Sequence, residues 1–353
     1  MTLNALKTEN FNPVPVFVDE NGSWLSGKEL FDVNLVKNGT KLKLKRVTLL
    51  AGEPVLYEIK KNGKLKKLIY VDCAVNCMHG KPGEDGSLAG VLNSSFVPYA
   101  SPGIFPSALA MNKSLCSSVL KKFGFACADG LTFSKKEFFG GSAKVIEKIK
   151  KFGFPVIVKP VSNGSSVGIT VVKDFDEKKL SDALFNAFFY DETVVVERFL
   201  TDCYDANCAA VKLFDKTIVS RVEKITKKGD FFTFEDKYAS GEKGALRGEV
   251  EQKTADVIKR LTKEIYDTFM FEGIVRIDFL VKGDAVFVNE INAVPGSMAY
   301  YLFVNKISEF TKLLTDLLDY TIKKYAAEKR KKAVTFRRLD FSSFAKGGKR
   351  LGS

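Results

Sequence analysis

Short apolar runs separated by polar turns characterise the first part of the chain. The runs at 14–18, 47–50 and 69–72 are each a few residues long and rich in valine, leucine and isoleucine. Runs of this length and composition predict β-strands. Their alternation with polar turns predicts a small α/β domain that ends near residue 105.

Helical and strand periodicities alternate along the rest of the chain, which suggests two further units and a tail. In the central unit, 106–193, the pattern predicts a helix at 108–123 and strands at 154–160 and 168–172. In the next unit, 194–331, it predicts strands at 193–198, 209–213, 273–281 and 285–291, and helices at 254–271 and around 310–318. The tail, 332–353, has few apolar residues and is expected to be loosely ordered.

Composition narrows the classes of protein that fit. The chain has 353 residues, of which 45% are hydrophobic, enough for the cores of two or three domains. Its net charge is +13, but the lysines are dispersed without interleaved aromatics, so nucleic acid is not an expected partner. No apolar run approaches the roughly 20 residues that cross a bilayer, and no secretory signal precedes the first strand. A cytoplasmic location without a membrane partner is therefore expected.

The cysteines and the single histidine limit the possible metal chemistry. The six cysteines are scattered through the chain without a CxxC pair, which argues against a disulfide framework and against a zinc site. His79 is the only histidine, so a multi-histidine metal centre is excluded. Free thiols in a reducing compartment are expected.

Polar residues alternate with apolar ones along two consecutive predicted strands. Arg276 and Asp278 lie two residues apart, as do Glu290 and Asn292, so each pair shares one face of its strand. A three-residue loop at 283–285 would pair 278 with 290 and 276 with 292, so that all four side chains point the same way. Carboxylate and carboxamide oxygens crowded together favour a bound cation such as Mg²⁺. Taken alone, the pattern fits amphipathic strands with polar outer faces about equally well.

Two further segments carry candidate chemistry. A predicted strand ends near Lys159 and leads into a small-residue turn with Gly164 and Ser165, whose N–H groups can surround phosphate oxygens. A plain glycine–serine hairpin is the alternative. The glycine-rich loop with His79 and Glu84 follows another predicted strand, at the kind of strand end where α/β sheets bind ligands. Ordinary packing or capping is the alternative for the lone histidine.

The segment 234–244 is rich in glycine and charge and lies between a predicted strand and a predicted helix. It contains Lys237 and Tyr238. A mobile lid with a phosphate-seeking lysine is one interpretation, and a plain surface loop is the other.

Taken together, these segments resemble the D-alanine–D-alanine ligases of the ATP-grasp superfamily. The resemblance covers nearly the whole chain, and its joint order and spacing are highly specific. The motifs that carry it are HGKPGEDGSLAG (79–90), SALAMNK (107–113), PVIVKPVSNGSSVGI (155–169), VVVERFL (194–200), EDKY (235–238), RIDF (276–279) and NEINAVPGS (289–297). The resemblance implies a mixed α/β (α+β) ATP-grasp fold. A truncated, Rossmann-like pre-ATP-grasp domain at 1–105 would precede the central and C-terminal ATP-grasp subdomains.

The resemblance also implies an activity. ATP, with Mg²⁺ or Mn²⁺, would convert one D-alanine to D-alanyl phosphate. A second D-alanine would then attack to give D-alanyl-D-alanine for peptidoglycan synthesis. The partners would be D-alanine and ATP, and a homodimer is expected only because such ligases resemble one another in this respect.

The family's functional positions map onto residues of this chain. Nucleotide-binding residues would be Lys113, Lys159, Glu197, Arg198, Phe199, Leu200, Asp205 and Lys237. The metal ligands would be Asp278, Glu290 and Asn292, and the first D-alanine would lie near His79 and Glu84. The catalytic set would be Ser165, Lys237, Tyr238, Arg276 and Gly296, of which Arg276 and Gly296 would stabilise the oxyanion.

Two departures from the family pattern leave alternatives open. The chain opens at what resembles the helix and strand after the family's first strand and Gly-Gly loop, so that element and its glutamate are expected to be missing. Tyr301 stands where many ligases have a serine near the second substrate. The alternatives are a related ligase that uses D-serine or D-lactate second, or a truncated ATP-binding protein without ligase activity.

Overall fold

The computed structural model describes most of the chain. The described residues are 2–6, 10–32, 34–35, 42–164, 166–214, 216–226 and 246–338, with side chains of the last helix described as far as 329. The predicted lid at 234–244 and residues 339–353 of the predicted tail lie outside these ranges. The expectation of a loosely ordered tail from residue 332 is wrong for 332–338, which continue the last helix (Ile307–Arg338). Strands within them form three sheets, and the α/β class is confirmed. No helix in these ranges is long and apolar enough to cross a membrane.

The first sheet is an antiparallel meander. Its elements are α1 (Thr2–Ala5), β1 (Val16–Val18), β2 (Trp24–Ser26), a 3-10 helix (Lys28–Phe31), β3 (Lys45–Leu50), β4 (Glu53–Ile59) and β5 (Leu65–Tyr70). The strands lie in sequence order, and each neighbouring pair is antiparallel. Three of the four connections (19–23, 51–52 and 60–64) are short and impose this direction, because a parallel pair needs a long crossover; the connection between β2 and β3 spans residues 27–44. Gly52, with a φ of +92°, forms part of the turn between β3 and β4. This meander differs from the parallel sheet of the predicted Rossmann-like domain.

A reduced parallel element follows the meander. Ala74 and Tyr99 form an isolated parallel bridge, and helix α2 (Ser87–Ser94) lies between them in the chain. Strand, helix and parallel partner are the parts of a βαβ unit. Among the described residues, the parallel pairing of this unit consists of one bridge. The glycine-rich loop 78–86 lies between the first residue of that bridge and α2.

The second sheet belongs to the central part of the chain. Its elements are α3 (Ile104–Met111), α4 (Lys113–Lys122), β6 (Gly130–Ser134), α5 (Lys135–Phe152), β7 (Val156–Pro160), β8 (Thr170–Val172), α6 (Glu177–Tyr190) and β9 (Thr193–Arg198). The strands lie in the order β6-β9-β7-β8, and all pairs are antiparallel. Helices α5 and α6 pack on this sheet through Ile149, Leu180 and Phe188, which are buried with Val156 and Val196.

The helix predicted at 108–123 is wrong as a single element, because α3 and α4 are separate. Asn112 lies between them with an extended backbone (φ −95°, ψ 96°). Its side-chain oxygen accepts a hydrogen bond from the N–H of Leu115 at 3.0 Å, which caps the start of α4. The break places Lys113 at the first position of α4.

The third sheet carries the acid and amide residues. Its elements are β10 (Tyr204–Leu213), β11 (Lys216–Val219), β12 (Glu223–Thr226), β13 (Leu246–Gly248), α7 (Gln252–Thr268), β14 (Ile274–Lys282), β15 (Ala285–Asn292), a 3-10 helix (Gly296–Ala299), α8 (Tyr300–Phe303) and α9 (Ile307–Arg338). The order is β13-β12-β10-β14-β15, and β11 pairs with β10. Helix α7 packs on one face of the sheet, where Val275, Ile277 and Phe279 of β14 are fully buried. The intervening Arg276 and Asp278 therefore face the other way, as predicted.

The six cysteines are free thiols. Burial raises the pKa of Cys116 to about 12 and that of Cys127 to about 11. Both side chains therefore remain protonated and contribute to the core beneath α4.

Candidate active site

Strands β14 and β15 bring the four predicted acid, amide and guanidinium side chains together. Asp278 pairs with Glu290, and Arg276 pairs with Asn292, in an antiparallel register. Directly opposite residues of paired strands lie on the same face. The predicted pairing is therefore confirmed.

The turn that leads to this register differs from the predicted turn. Lys282 pairs with Ala285, so the turn has two residues and the predicted three-residue loop at 283–285 is wrong. A bulge at Asn289 inserts one additional residue into β15 and shifts the pairing by one position. A shift of one residue exchanges the faces of a strand. The bulge therefore moves Glu290 onto the face of Asp278.

The carboxylate of Asp278 is held by charged and amide donors. Arg276 donates to it twice, from Nε to Oδ1 at 2.7 Å and from Nη2 to Oδ2 at 2.9 Å, and Asn292 Nδ2 donates to Oδ2 at 3.0 Å. Burial opposes ionisation of Arg276, but the charge of Asp278 and these hydrogen bonds raise its pKa overall. The guanidinium is thus a fixed positive charge, and its Nη1 lies 3.5 Å from the hydroxyl of Tyr301.

Strand β10 adds residues to this face that the sequence pattern did not identify. Asn207 lies directly opposite Asp278, and Glu223 of β12 lies opposite Asn207. Both are more than 90% buried. The predicted ribose ligand Asp205 lies two residues from Asn207 on the same face of β10. A polar row therefore crosses four strands of the sheet.

Lys113 connects the second sheet to the third. Its Nζ lies 3.2 Å from Glu290 Oε1 and also donates to the carbonyl of Asn163, in the turn after β7. Its backbone N–H donates to Val161 O at 3.0 Å. Lys113 therefore contacts both the turn after β7, which is the candidate phosphate loop, and the acid group formed by Asp278, Glu290 and Asn292.

Lys159 and Glu197 form a buried ion pair on the second sheet. Lys159 Nζ donates to Glu197 Oε2 at 2.5 Å, and both residues are more than 90% buried. Lys159 belongs to β7 and Glu197 to β9, which are adjacent strands. A charged pair buried this deeply is held in one geometry by its mutual hydrogen bond.

The residues after Glu197 use part of their hydrogen-bonding capacity within the protein. The N–H of Arg198 donates to Asp129 O at 2.8 Å, and the N–H of Phe199 donates to Pro155 O at 3.0 Å. The guanidinium of Arg198 stacks over the ring of Phe152 at 4.6 Å. The carbonyl of Leu200 accepts from Cys203 Sγ at 3.1 Å. The structure thus turns the Arg198 side chain toward α5.

The glycine-rich loop is tied to the chain just beyond β15. His79 Nδ1 lies 3.0 Å from the carbonyl of Val294, so Nδ1 carries the proton in this contact. Glu84 accepts from the N–H of Gly80 at 2.6 Å and from the N–H of Val294 at 3.3 Å. Burial raises the pKa of Glu84, while these hydrogen bonds oppose the rise. Both predicted substrate residues therefore border the acid group.

A left-handed turn follows Gly296. Ser297, Met298 and Ala299 have φ angles of +54°, +51° and +46°. Such angles cost a non-glycine residue roughly 1–2 kcal/mol each. Strain of this kind persists where the surroundings enforce it, as at binding sites. The turn delivers Tyr301 to Arg276.

The donor chemistry of the acid group fits a hard divalent cation. Among the described residues, no three or more His, Cys, Asp or Glu side chains form a preassembled metal cluster. Mg²⁺ is commonly held by one or two carboxylates together with substrate phosphates, so Asp278, Glu290 and the carboxamide of Asn292 suit it. Three predicted catalytic residues, Ser165, Lys237 and Tyr238, lie outside the described residues.

Two antiparallel sheets that meet at Lys113 place a phosphate-loop candidate beside an acid–amide group. This architecture defines the chain as an enzyme of the ATP-grasp ligase class, and the solved structures it resembles have that fold. More narrowly, the chain belongs to the D-alanine–D-alanine ligase family. Family models described as D-ala D-ala ligase N-terminus and D-ala D-ala ligase C-terminus match residues 1–102 and 119–322.

Individual relatives agree with this assignment. The chain is 30% identical over 337 residues to a D-alanine–D-alanine ligase of Thermosipho melanesiensis, covering 93% of this chain and 89% of that protein. It superposes on the crystal structure of the Helicobacter pylori D-alanine–D-alanine ligase with a TM-score of 0.73 and 28% identity, covering 90% and 91% of the two chains. The VanG D-Ala:D-Ser ligase of Enterococcus faecalis has the same fold (TM-score 0.71, 24% identity, 91% and 92% covered).

Proposed function

We propose that this protein joins two D-alanines in an ATP-dependent reaction, through a D-alanyl phosphate intermediate, for peptidoglycan synthesis. The observation that carries the proposal is the convergence of Arg276, Asp278, Glu290 and Asn292 on one sheet face that Lys113 also reaches. Acid–amine ligation needs cations around phosphates and a fixed charge near the new bond, and this face supplies both.

In the first half-reaction, a carboxylate oxygen of the first D-alanine attacks the γ-phosphorus of ATP. The new O–P bond forms as the bond to ADP breaks. Lys113 and Lys159 place positive charge around the phosphates, and their ion pairs hold them in position. When bound, Mg²⁺ would be held by Asp278, Glu290 and Asn292 and would supply further neutralising charge.

In the second half-reaction, the amine of the second D-alanine attacks the carbonyl carbon of D-alanyl phosphate. Phosphate leaves, the nitrogen loses a proton, and negative charge builds transiently on the carbonyl oxygen. Arg276 opposes this charge without reorganising, because two of its nitrogens are already fixed by Asp278. The backbone of Gly296 is the proposed second donor.

The remaining assignments place the substrates around this centre. The first D-alanine would lie beside His79 and Glu84, whose loop is bonded to Val294. The segment from Glu197 to Leu200 would contact adenine, and Asp205 would hold the ribose from the site face of β10. Ser165, Lys237 and Tyr238 keep their proposed roles in positioning substrate and phosphate.

A second candidate function concerns the second substrate. Tyr301 lies 3.5 Å from Arg276 Nη1, where many family members have a serine. Burial raises the pKa of its phenol, so the hydroxyl stays neutral and can donate a hydrogen bond. A neutral donor of this kind suits D-serine or D-lactate as well as D-alanine, so these are the competing second substrates.

An assay of phosphate release and product identity separates the candidates. Purified protein is incubated with ATP, Mg²⁺ and D-alanine alone or with D-serine or D-lactate. Phosphate release with formation of D-alanyl-D-alanine is the expected result. A preference for a mixed product would favour the second candidate. Phosphate release without any dipeptide, or no phosphate release, would contradict the ligase activity.

Replacing Lys113 with methionine should change metal and nucleotide binding in opposite directions. Without nucleotide, the ammonium competes with a cation for Glu290, so its removal should strengthen Mn²⁺ binding on the order of tenfold, since a nearby unit charge costs roughly 1–4 kcal/mol. Binding of an ATP analogue should weaken because a phosphate contact is lost. Mn²⁺ titration by electron paramagnetic resonance and calorimetry with the analogue measure the two effects.

A matched control for this variant lies on the same helix. Lys121 of α4 forms an ion pair at 2.8 Å with Asp129, which is mostly exposed. Lys121→Met should leave both affinities unchanged. Equal Mn²⁺ affinity of Lys113→Met and the unmodified protein would show that Lys113 does not compete for the metal site.

We also propose a location and an oligomeric state for this protein. The free thiols suit a reducing cytoplasm. A homodimer is proposed from the family alone, and light scattering coupled to size-exclusion chromatography tests it.

A further inference from the structure

Asn207 occupies a position next to the proposed metal ligands that no sequence motif marks. It lies in the middle of β10, directly opposite Asp278 of β14. Its neighbours Ala206 and Cys208 point into the opposite core and are fully buried. Asn207 itself is 8% exposed, so its amide requires partners within the protein.

The surroundings of Asn207 determine which way its amide faces. Two acceptors stand on one side of it, Oδ1 of Asp278 and the carbonyl of Ala206. Only the amide nitrogen can donate to them, so the nitrogen faces this side, at 3.1 Å and 3.3 Å respectively. An amide nitrogen repels a cation, so this group acts on Asp278 rather than on a metal.

With this bond, Asp278 accepts four hydrogen bonds. Oδ1 accepts from Arg276 Nε and Asn207, and Oδ2 accepts from Arg276 Nη2 and Asn292. A carboxylate has about four lone-pair positions, so all are used. A metal can reach Asp278 only when one donor gives way. Asn292 is the donor suited to exchange, because it is itself a proposed ligand.

We propose that Asn207 is a positioning residue that fixes Oδ1 of Asp278 from the neighbouring strand, so that Oδ2 serves the metal. Arg276 alone cannot do this, because it belongs to the same strand as Asp278 and moves with it. Asn207 holds the carboxylate from β10, across the hydrogen-bonded ladder. The inference rests on the proposed function, since it assumes that Asp278 is a metal ligand.

Removing the Asn207 donor should weaken metal binding selectively. Loss of a partner that orients a metal ligand typically costs 10- to 100-fold in affinity. The test variant is Asn207→Leu, which keeps the side-chain volume and removes the amide. Asn207→Ser, too short to reach Asp278, is a second variant in case the leucine does not fold. The probe is Mn²⁺ in the presence of a non-hydrolysable ATP analogue.

The control variant is Cys208→Ala, which disturbs packing one residue away on the opposite face. We expect the Mn²⁺ dissociation constant to rise 10- to 100-fold in both Asn207 variants. Metal-free binding of the analogue should stay within about twofold of the unmodified protein, and Cys208→Ala should leave both constants unchanged.

Two results would overturn the positioning role. One is an unchanged Mn²⁺ constant in the Asn207 variants. The other is a parallel loss of metal and metal-free nucleotide affinity that Cys208→Ala reproduces, which indicates lost packing alone. If the unmodified protein binds no Mn²⁺ with the analogue and forms no dipeptide, the proposed function fails first, and the inference fails with it.

Discussion

Replacing Arg276 with lysine is expected to lower kcat for dipeptide formation by roughly 10²- to 10³-fold, the typical effect of removing one oxyanion donor. Lysine keeps the positive charge but cannot form two parallel N–H bonds to Asp278, which lie at 2.7 and 2.9 Å in the native protein. The ammonium would therefore be less well fixed where charge develops on the carbonyl oxygen. The second half-reaction should be slowed more than the first.

The two half-reactions can be separated by measuring phosphate and dipeptide in one assay. In Arg276→Lys, D-alanyl phosphate should accumulate and hydrolyse, so phosphate release should exceed dipeptide formation. Arg260→Lys is the matched control, because Arg260 is exposed on α7 and pairs with Glu264 at 3.3 Å. Dipeptide formation by Arg276→Lys within about threefold of the native rate would exclude an oxyanion role for the guanidinium.

The periodicity of apolar residues correctly predicted strands whose pattern is visible within a short stretch of the sequence. The strand at 193–198 coincides with β9, and the alternation along β14 and β15 placed Arg276 and Asp278 on the face opposite the core. A strand that is buried on one face has a side-chain period of two, and this period is visible in the sequence. The resemblance to the ligase family, which depends on motif order, was likewise confirmed by the family models.

The features that periodicity missed depend on contacts between distant segments. Beside the bulge at Asn289, the N–H of Val288 donates to Ala126 O at 2.8 Å, a bond to a segment far away in sequence. Apolar residues lie on both sides of Asn112, so the sequence pattern did not reveal a helix boundary there. The capping side chain of Asn112 creates this boundary in the structure. The proposed role of Asn207 depends on the pairing of β10 with β14, and no pattern within its own strand predicts that role.

The N-terminal sheet shows a different limit. Apolar runs with polar turns predict strands but not their direction, which short connections restrict to antiparallel and long ones leave open. In the meander from β1 to β5 every pair is antiparallel, although the connection between β2 and β3 spans residues 27–44, whereas the Ala74–Tyr99 bridge spans a helix and is parallel. The family resemblance predicted a truncated Rossmann-like domain here, and within the described residues of this domain the parallel pairing typical of such a domain occurs at that bridge.

Two replacements of Asp278 are expected to have the same effect on catalysis but different effects on stability. Asp278→Asn keeps the shape of the side chain and one acceptor for Arg276 but removes the charge that would hold the metal. Metal charge stabilisation is worth several kcal/mol, so Mg²⁺-dependent ATP turnover should fall by roughly 10³-fold or more. The fold should persist, because the side-chain volume is kept and the remaining oxygen still accepts a hydrogen bond from Arg276.

Asp278→Ala should be equally inactive and also less stable. The side chains of Arg276 and Asp278 are 18% and 17% exposed, so the alanine variant leaves a guanidinium largely buried without its carboxylate. Breaking a buried pair in this way costs roughly 3–5 kcal/mol. Denaturant unfolding should therefore give a lower free energy for Asp278→Ala than for Asp278→Asn, while ATP turnover is lost in both. Because both variants lack the carboxylate, an Asp278→Ala protein as stable as the unmodified protein would show that the ion pair does not hold the site together, and native turnover in Asp278→Asn would remove Asp278 from the metal site.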